Sequence, residues 1–113
     1  MKTLLAILAM LAATNCRADT VTAYCPCARC CGKANQPTAS GKMPTAGVTV
    51  AGPRRVPFGT VVEIEGVGRR VVQDRLAKRF DNRWDVFMPS HKAALIFGTR
   101  ELKITVVKNV KKS

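Results

Sequence analysis

The feature that most constrains the fold of this sequence is a series of short β-type segments separated by glycine and proline turns. In residues 101–107, apolar and polar side chains alternate with the period of two that is typical of a half-buried strand. One helix is predicted, from the N-cap Ser90 to Gly98. Short strands around one small helix predict a mainly β domain that forms a closed or nearly closed barrel. The other predicted strands are residues 19–24, 48–50, 60–65, 69–73 and 84–87.

Residues 1–18 predict a secretory signal peptide. The second residue is basic, and residues 4–13 form an apolar run that is too short to cross a membrane. Small side chains lie three and one positions before the predicted cut, so we expect one exported domain at residues 19–113. The alternative is a lipoprotein acylated at Cys16, which we favour less because the residue before that cysteine is not small.

The chain is strongly basic. It has 19 Lys and Arg residues against 7 Asp and Glu residues, a formal net charge of +12. The predicted leader contains two basic residues and no acid, so its removal leaves +10. A charge of this size favours polyanions such as nucleic acid, anionic lipid headgroups or the anionic polymers of a cell envelope. For an exported protein we expect the envelope polymer rather than nucleic acid.

Four cysteines lie in one loop at residues 25–31: Cys25, Cys27, Cys30 and Cys31. Four thiols in a small exported domain usually form two disulfides. Bonds between Cys25 and Cys27 or between Cys30 and Cys31 are unfavourable, which leaves Cys25–Cys30 with Cys27–Cys31, or Cys25–Cys31 with Cys27–Cys30. The alternative is a zinc site with four thiolates, which we favour less because structural sites normally join two separated ligand pairs. In either case the cysteines are expected to stabilise the loop rather than to take part in catalysis.

The central segment, residues 71–88, carries three of the seven acidic residues: Asp74, Asp81 and Asp85. Asp74 follows a β-branched run, and Asp85 lies inside an apolar strand-like segment, where burying a charged carboxylate is costly and raises its pKa. A carboxylic acid that stays protonated near neutral pH is suited to general acid catalysis. Asp81 is expected to be a turn residue. The structural alternative for Asp74 and Asp85 is that they cap turns or pair with nearby arginines.

Several motifs occur in a fixed order: residues 21–24, 38–41, 56–60, 65–68, Asp74, Asp85 and residues 89–98. This ordered set resembles the bacterial three-Asp (3D) domain, which is related to the catalytic domain of membrane-bound lytic transglycosylase A and to the double-psi β-barrels of rare lipoprotein A and expansins. The Cys-x-Cys-x-x-Cys-Cys-Gly segment is similar to a variant of that family. The resemblance implies a six-stranded double-psi β-barrel that acts on the glycan strands of peptidoglycan.

The resemblance also implies roles for two aspartates. Asp85 matches the catalytic acid of a lytic transglycosylase, which cleaves the MurNAc–GlcNAc bond and leaves a 1,6-anhydro end. One carboxyl group suffices, because the sugar's own 6-hydroxyl is the nucleophile, and no cofactor or metal is implied. Asp74 is expected to raise the pKa of Asp85 or to order its hydrogen bonds. Gly52 stands where the family has its first aspartate, and Arg75 follows Asp74 where the family has a Gly-Gly turn.

Five further residues are predicted to contact the glycan. The Thr38 and Ser40 hydroxyls face a sugar or cap turns, and His91 contacts substrate or lies at a solvent-facing helix position. Trp84 stacks on a sugar ring or packs in the core. Arg83 binds the anionic groups of the wall or is merely solvated.

Three classes of function remain. The first is a peptidoglycan lytic transglycosylase, acting as a monomer in the periplasm, the cell envelope or outside the cell. The second is an expansin-like barrel that binds the wall without cleaving it, made credible by Gly52. The third is a basic nucleic-acid-binding module, which the predicted export signal argues against.

Overall fold

The computed structural model describes residues 16–27 and 36–108. A short 3-10 helix, Lys78–Phe80, precedes the fifth strand, and the helix α1, His91–Phe97, lies between the fifth and sixth strands. The six strands are β1 (Cys16–Tyr24), β2 (Thr49–Ala51), β3 (Val61–Ile64), β4 (Gly68–Asp74), β5 (Trp84–Phe87) and β6 (Arg100–Lys108).

The six strands close into a barrel in the order β1-β5-β2-β4-β3-β6. β1 pairs in parallel with β5, and β2 pairs in parallel with β4, while the other four pairs are antiparallel. If β1, β2 and β3 are exchanged with β4, β5 and β6 respectively, the same set of strand pairs results. The predicted fold class, a mainly β six-stranded barrel with one short helix, is therefore confirmed.

The barrel interior follows the predicted alternation of side chains. In β3, Val62 and Ile64 are fully buried while Glu63 between them is exposed. The helix α1 begins as predicted, because the Ser90 side chain accepts a hydrogen bond from the Ala93 amide at 3.1 Å. Each fully buried Val or Ile contributes about 1.5–3 kcal/mol to folding. The core comprises Val21, Val50, Val56, Val62, Ile64, Val72, Trp84, Val86, Phe97 and Ile104.

The first strand starts three residues earlier than predicted. Cys16 lies opposite Thr105 of β6, so residues 16–18, on the N-terminal side of the predicted cut, belong to β1. The rest of the predicted leader, residues 1–15, lies outside the described residues. Within the described ranges, no helix has the length and apolar character needed to cross a membrane.

Candidate functional site

Two aspartates lie on either side of Ala51 in the barrel wall. Asp85 of β5 and Asp74 of β4 are both paired with Ala51 of β2. Neighbouring strands are about 4.8 Å apart, so the two aspartate backbones are about 10 Å apart with only the Ala51 methyl group between them. Trp84 and Val86, on either side of Asp85, point into the core. Because side chains alternate along a strand, Asp85 points out of the barrel.

A β-bulge brings Asp74 to this position. Between Val50 and Ala51 the register advances by one residue on β2 but by two residues on β4, so Gln73 is the extra residue. A bulge re-aims the side chain that follows it. With regular pairing, Gln73 rather than Asp74 would lie opposite Ala51. Gln73 instead accepts a hydrogen bond from the Thr49 hydroxyl at 2.7 Å.

The carboxyl group of Asp85 is largely buried. The pKa of Asp85 is raised to about 6. Burial is the largest cause, the hydrogen bond from Thr22 lowers the pKa, and the charge of Asp74 contributes to raising it. Thr22 lies opposite Asp85 in β1, and its hydroxyl donates to Asp85 Oδ1 at 2.9 Å. Among the described residues, neither Asp85 nor Asp74 takes part in an ion pair. The raised pKa is the property that the sequence predicted for Asp85.

Three hydrogen-bond donors hold the carboxylate of Asp74. The Tyr24 hydroxyl donates to Oδ2 at 2.8 Å, and the Ala39 and Arg75 amides donate to Oδ1 at 2.9 and 2.8 Å. The two oxygens of Asp74 are thereby fixed in orientation. Sequence reasoning missed Tyr24, although Tyr24 lies two residues after Thr22 and therefore on the same face of β1.

A cavity of about 340 Å³ opens over the two aspartates. Its volume lies at the lower end of the range for small-molecule sites. Aromatic rings form part of its wall, and the Tyr24 and Phe87 rings meet edge to face with centroids 5.3 Å apart. The cavity is lined by Tyr24, Pro26, Gln36, Pro37, Pro44, Ala51, Asp74, Arg75, Leu76, Ala77, Phe80, Asp85 and Phe87.

Thr38 and Ser40 serve the turn beside the cavity rather than its lining. Their hydroxyl oxygens are 2.9 Å apart, and the Thr38 hydroxyl donates to the Lys42 carbonyl at 2.6 Å. The residue between them, Ala39, donates its amide to Asp74. The Thr38 hydroxyl thus makes a turn contact, and this turn positions the backbone that contacts Asp74. Contact of either hydroxyl with a sugar stays a prediction.

Trp84 lies in the barrel core, and the structure corrects its predicted contact with a sugar ring. Its side chain is 2% exposed, and its Nε1 donates to the buried Asp19 Oδ2 at 2.9 Å. A ring enclosed in this way has no face available for a sugar. Arg83 lies beside the cavity instead of lining it, with its guanidinium 4.7 Å from the ring centre of Phe80, a lining residue.

His91 lies outside the cavity and next to two cysteines. Its Nδ1 is 3.7 Å from Cys25 Sγ and 3.6 Å from Cys27 Sγ. The two sulfurs are 2.8 Å apart, longer than the disulfide bond length of about 2.05 Å. Every predicted disulfide includes Cys30 or Cys31, and both lie outside the described residues, so the pairing stays a prediction.

Packing accounts for the glycine at position 52. A Cβ atom added there would lie 2.9 Å from Cζ3 of Trp84 and 3.3 Å from Cγ1 of Val72. A contact below 3.0 Å to a buried ring requires the ring or the backbone to move. In this chain the Trp84 ring fills the space that an aspartate at position 52 would need.

The fold and the site define a six-stranded β-barrel protein with a two-aspartate cavity. No protein-family model matches the chain. The chain is similar to YabE from Bacillus subtilis (strain 168), which carries the provisional description of a cell wall shaping protein. The two are 30% identical over 87 residues, which is 76% of this chain and 21% of YabE. The chain thus spans about a fifth of the length of the curated relative that it matches.

Proposed function

We propose that this protein is an exported cell-wall enzyme that cleaves peptidoglycan glycan strands by lytic transglycosylation. The observation that carries the proposal is the Asp85 carboxyl group, which lines a cavity and has its pKa raised by burial to about 6. Such a group is protonated often enough near neutral pH to donate a proton, and it is basic enough to take one back. The similarity to YabE and the resemblance to the three-Asp family support a cell-wall substrate.

In the proposed reaction, Asp85 protonates the oxygen that joins MurNAc C1 to GlcNAc, and the C1–O bond breaks. The 6-hydroxyl oxygen of the same MurNAc then bonds to C1, and its proton passes to the Asp85 carboxylate. Asp85 donates one proton and recovers one, so neither water nor a cofactor is consumed. Asp74, across Ala51, stabilises the positive charge that develops on the sugar ring and keeps the proton on Asp85 by its own charge.

Substituting Asp85→Asn tests this mechanism directly. Asn keeps the size of the side chain and can still accept the Thr22 hydrogen bond, but it cannot donate and recover a proton. We expect release of 1,6-anhydro-muropeptides from purified sacculi to fall by at least about a hundredfold, within the usual contribution of general acid–base catalysis. Mass spectrometry of the soluble products measures the effect.

Asp81→Asn is the matched control. Asp81 lies in the same segment but outside the cavity lining, where its Oδ1 accepts hydrogen bonds from the Arg54 amide and guanidinium at 2.9 and 3.1 Å. This variant should release products at the rate of the unmodified protein. Undiminished release by the Asp85→Asn variant would remove Asp85 from the mechanism.

The second candidate is a wall-binding barrel without catalysis. The observation that favours it is Gly52, because packing against Trp84 excludes the family's first aspartate and leaves two acids at the site. Incubation with sacculi separates the candidates: a protein that sediments with sacculi and releases no anhydro products is a binder, whereas product release identifies the enzyme.

A further inference from the structure

A second cluster of reactive side chains lies at the end of the barrel where the neighbouring strands β1 and β5 terminate. These two strands are parallel, so the segments that follow them emerge at the same end. One segment carries Cys25 and Cys27, and the other leads to His91 at the first residue of α1. The Met88 amide donates to the Tyr24 carbonyl at 2.6 Å and holds the two segments together.

The distances within this cluster resemble those of a metal site. The Nδ1 atom of His91 lies 3.7 Å from Cys25 Sγ and 3.6 Å from Cys27 Sγ. A tetrahedral zinc site with Zn–S bonds of about 2.3 Å and Zn–N bonds of about 2.0–2.1 Å has S–N edges of about 3.6 Å. The sulfurs, now 2.8 Å apart, would separate by about 1 Å to reach the S–S edge of the same tetrahedron. Cys27 is only partly buried, so its side chain has room to turn.

We propose that Cys25, Cys27 and His91 bind a Zn²⁺ ion. Two thiolates and one imidazole form a borderline-soft ligand set, which Zn²⁺ favours and which Mg²⁺ and Ca²⁺ do not. The charges of two thiolates also balance those of the ion in an otherwise basic protein. His91 binds through Nδ1 and carries its proton on Nε2. Cys30 and Cys31 form no part of this proposal.

The ion ties the end of β1 to the start of α1. Tyr24 directly precedes Cys25, and its hydroxyl is one of the three donors that hold Asp74. Metal binding outside the cavity therefore orders the cavity wall, because it fixes the position of Tyr24. The proposal does not depend on the transglycosylase function, because metal content is measured on the protein itself.

Titration of the reduced, purified protein with Co²⁺, followed by competition with Zn²⁺, tests the site. We expect one equivalent of Co²⁺ to produce sulfur-to-cobalt charge-transfer absorption that Zn²⁺ abolishes. His91→Gln and Cys27→Ser should each weaken binding by more than about a hundredfold, because even loss of an outer-shell partner costs roughly 10–100-fold. Lys92→Gln on the same helix is the matched control and should bind Co²⁺ normally.

Two results would overturn the proposal. One is the absence of charge-transfer absorption in reduced protein whose far-ultraviolet circular dichroism shows the β-fold. The other is unchanged Co²⁺ affinity in folded His91→Gln protein. If Cys27→Ser does not fold, His91→Gln carries the test, since His91 is half-buried at a helix start where Gln is tolerated.

Discussion

At the scale of single residues, the two aspartates of the cavity have opposite surroundings. Asp85 is largely buried beside one hydroxyl donor, and its pKa is raised to about 6, mainly by burial. Asp74 accepts three hydrogen bonds, two of them from backbone amides. Pairs of carboxyl groups in different environments are how acid and base roles are divided in active sites. The proposed role of Asp85 as proton donor therefore rests on its neighbours rather than on its residue type.

The raised pKa of Asp85 predicts a pH-dependent stability difference from Asp85→Asn. A carboxyl group whose pKa is higher in the folded state than its usual 3.8 stabilises the fold fully below about pH 4, and this contribution is lost as the pH rises through about 6. Asn carries no such charge. At pH 4 the free energy of unfolding of the variant should equal or fall below that of the unmodified protein. Above pH 6 it should rise relative to the unmodified protein by up to roughly 3 kcal/mol.

Urea unfolding at a series of pH values from 4 to 8 measures this gain. Asp81→Asn, on the exposed turn, is again the control and should show no comparable gain with pH. A difference between Asp85→Asn and the unmodified protein that stays constant across the series would contradict burial as the cause of the raised pKa.

At the scale of elements, the register between strands assembles the site. Thr22, Asp85, Ala51 and Asp74 form one row across β1, β5, β2 and β4. The row joins residues that are far apart in the chain, and its last position depends on the bulge at Gln73. A strand contributes only one or two residues to the site, so the pairing of strands matters more than any local motif.

Gly52 directly follows β2 and packs against Trp84 of β5. We therefore expect Gly52→Ala to destabilise the barrel. The added Cβ would lie 2.9 Å from the Trp84 ring, and overpacking of this kind costs about 1–3 kcal/mol. Combining it with Trp84→Phe in a double-mutant cycle should recover part of the loss, since the smaller ring leaves space for the methyl group. Thermal or urea unfolding measures each variant. Simple additivity of the two changes would show that the ring is not what excludes a side chain at position 52.

These elements also show how far sequence reasoning reaches. Period-two alternation located β3 and β6, and the Ser90 cap located α1, because both signals are local. The burial of Asp85 was predicted from its apolar flanks. The sequence left Trp84 open between the core and a sugar contact. Both faces of β5 carry large apolar side chains, so alternation alone does not say which face turns inward. Tyr24 and His91 were not assigned to their actual partners, because Asp74 lies 50 residues from Tyr24 and Cys25 lies 66 residues from His91 in the chain.

At the scale of the whole molecule, a net charge of +12, or +10 after removal of the predicted leader, predicts salt-sensitive attachment to an anionic wall. Screening shortens the reach of surface charges from about 10 Å at 0.1 M salt to about 3 Å at 1 M. Binding to purified sacculi should therefore weaken steeply as NaCl rises from 0.05 to about 1 M. Co-sedimentation measures the bound fraction, and an equal osmolality of sucrose is the control. Binding that is indifferent to salt would assign recognition to the cavity instead of the basic surface.

The interleaved strand order also constrains when the site can exist during synthesis. Each parallel pair joins one strand from the first half of the chain to one from the second, and β6 closes the barrel between β1 and β3. A ribosome releases β6 last, so β1 waits without its antiparallel partner while nearly all of the domain is made. Folds dominated by such distant pairings form in milliseconds to seconds rather than microseconds. A nascent chain that ends before β6 therefore lacks a closed barrel to support the cavity, and the proposed cleaving activity would appear only once the domain is complete.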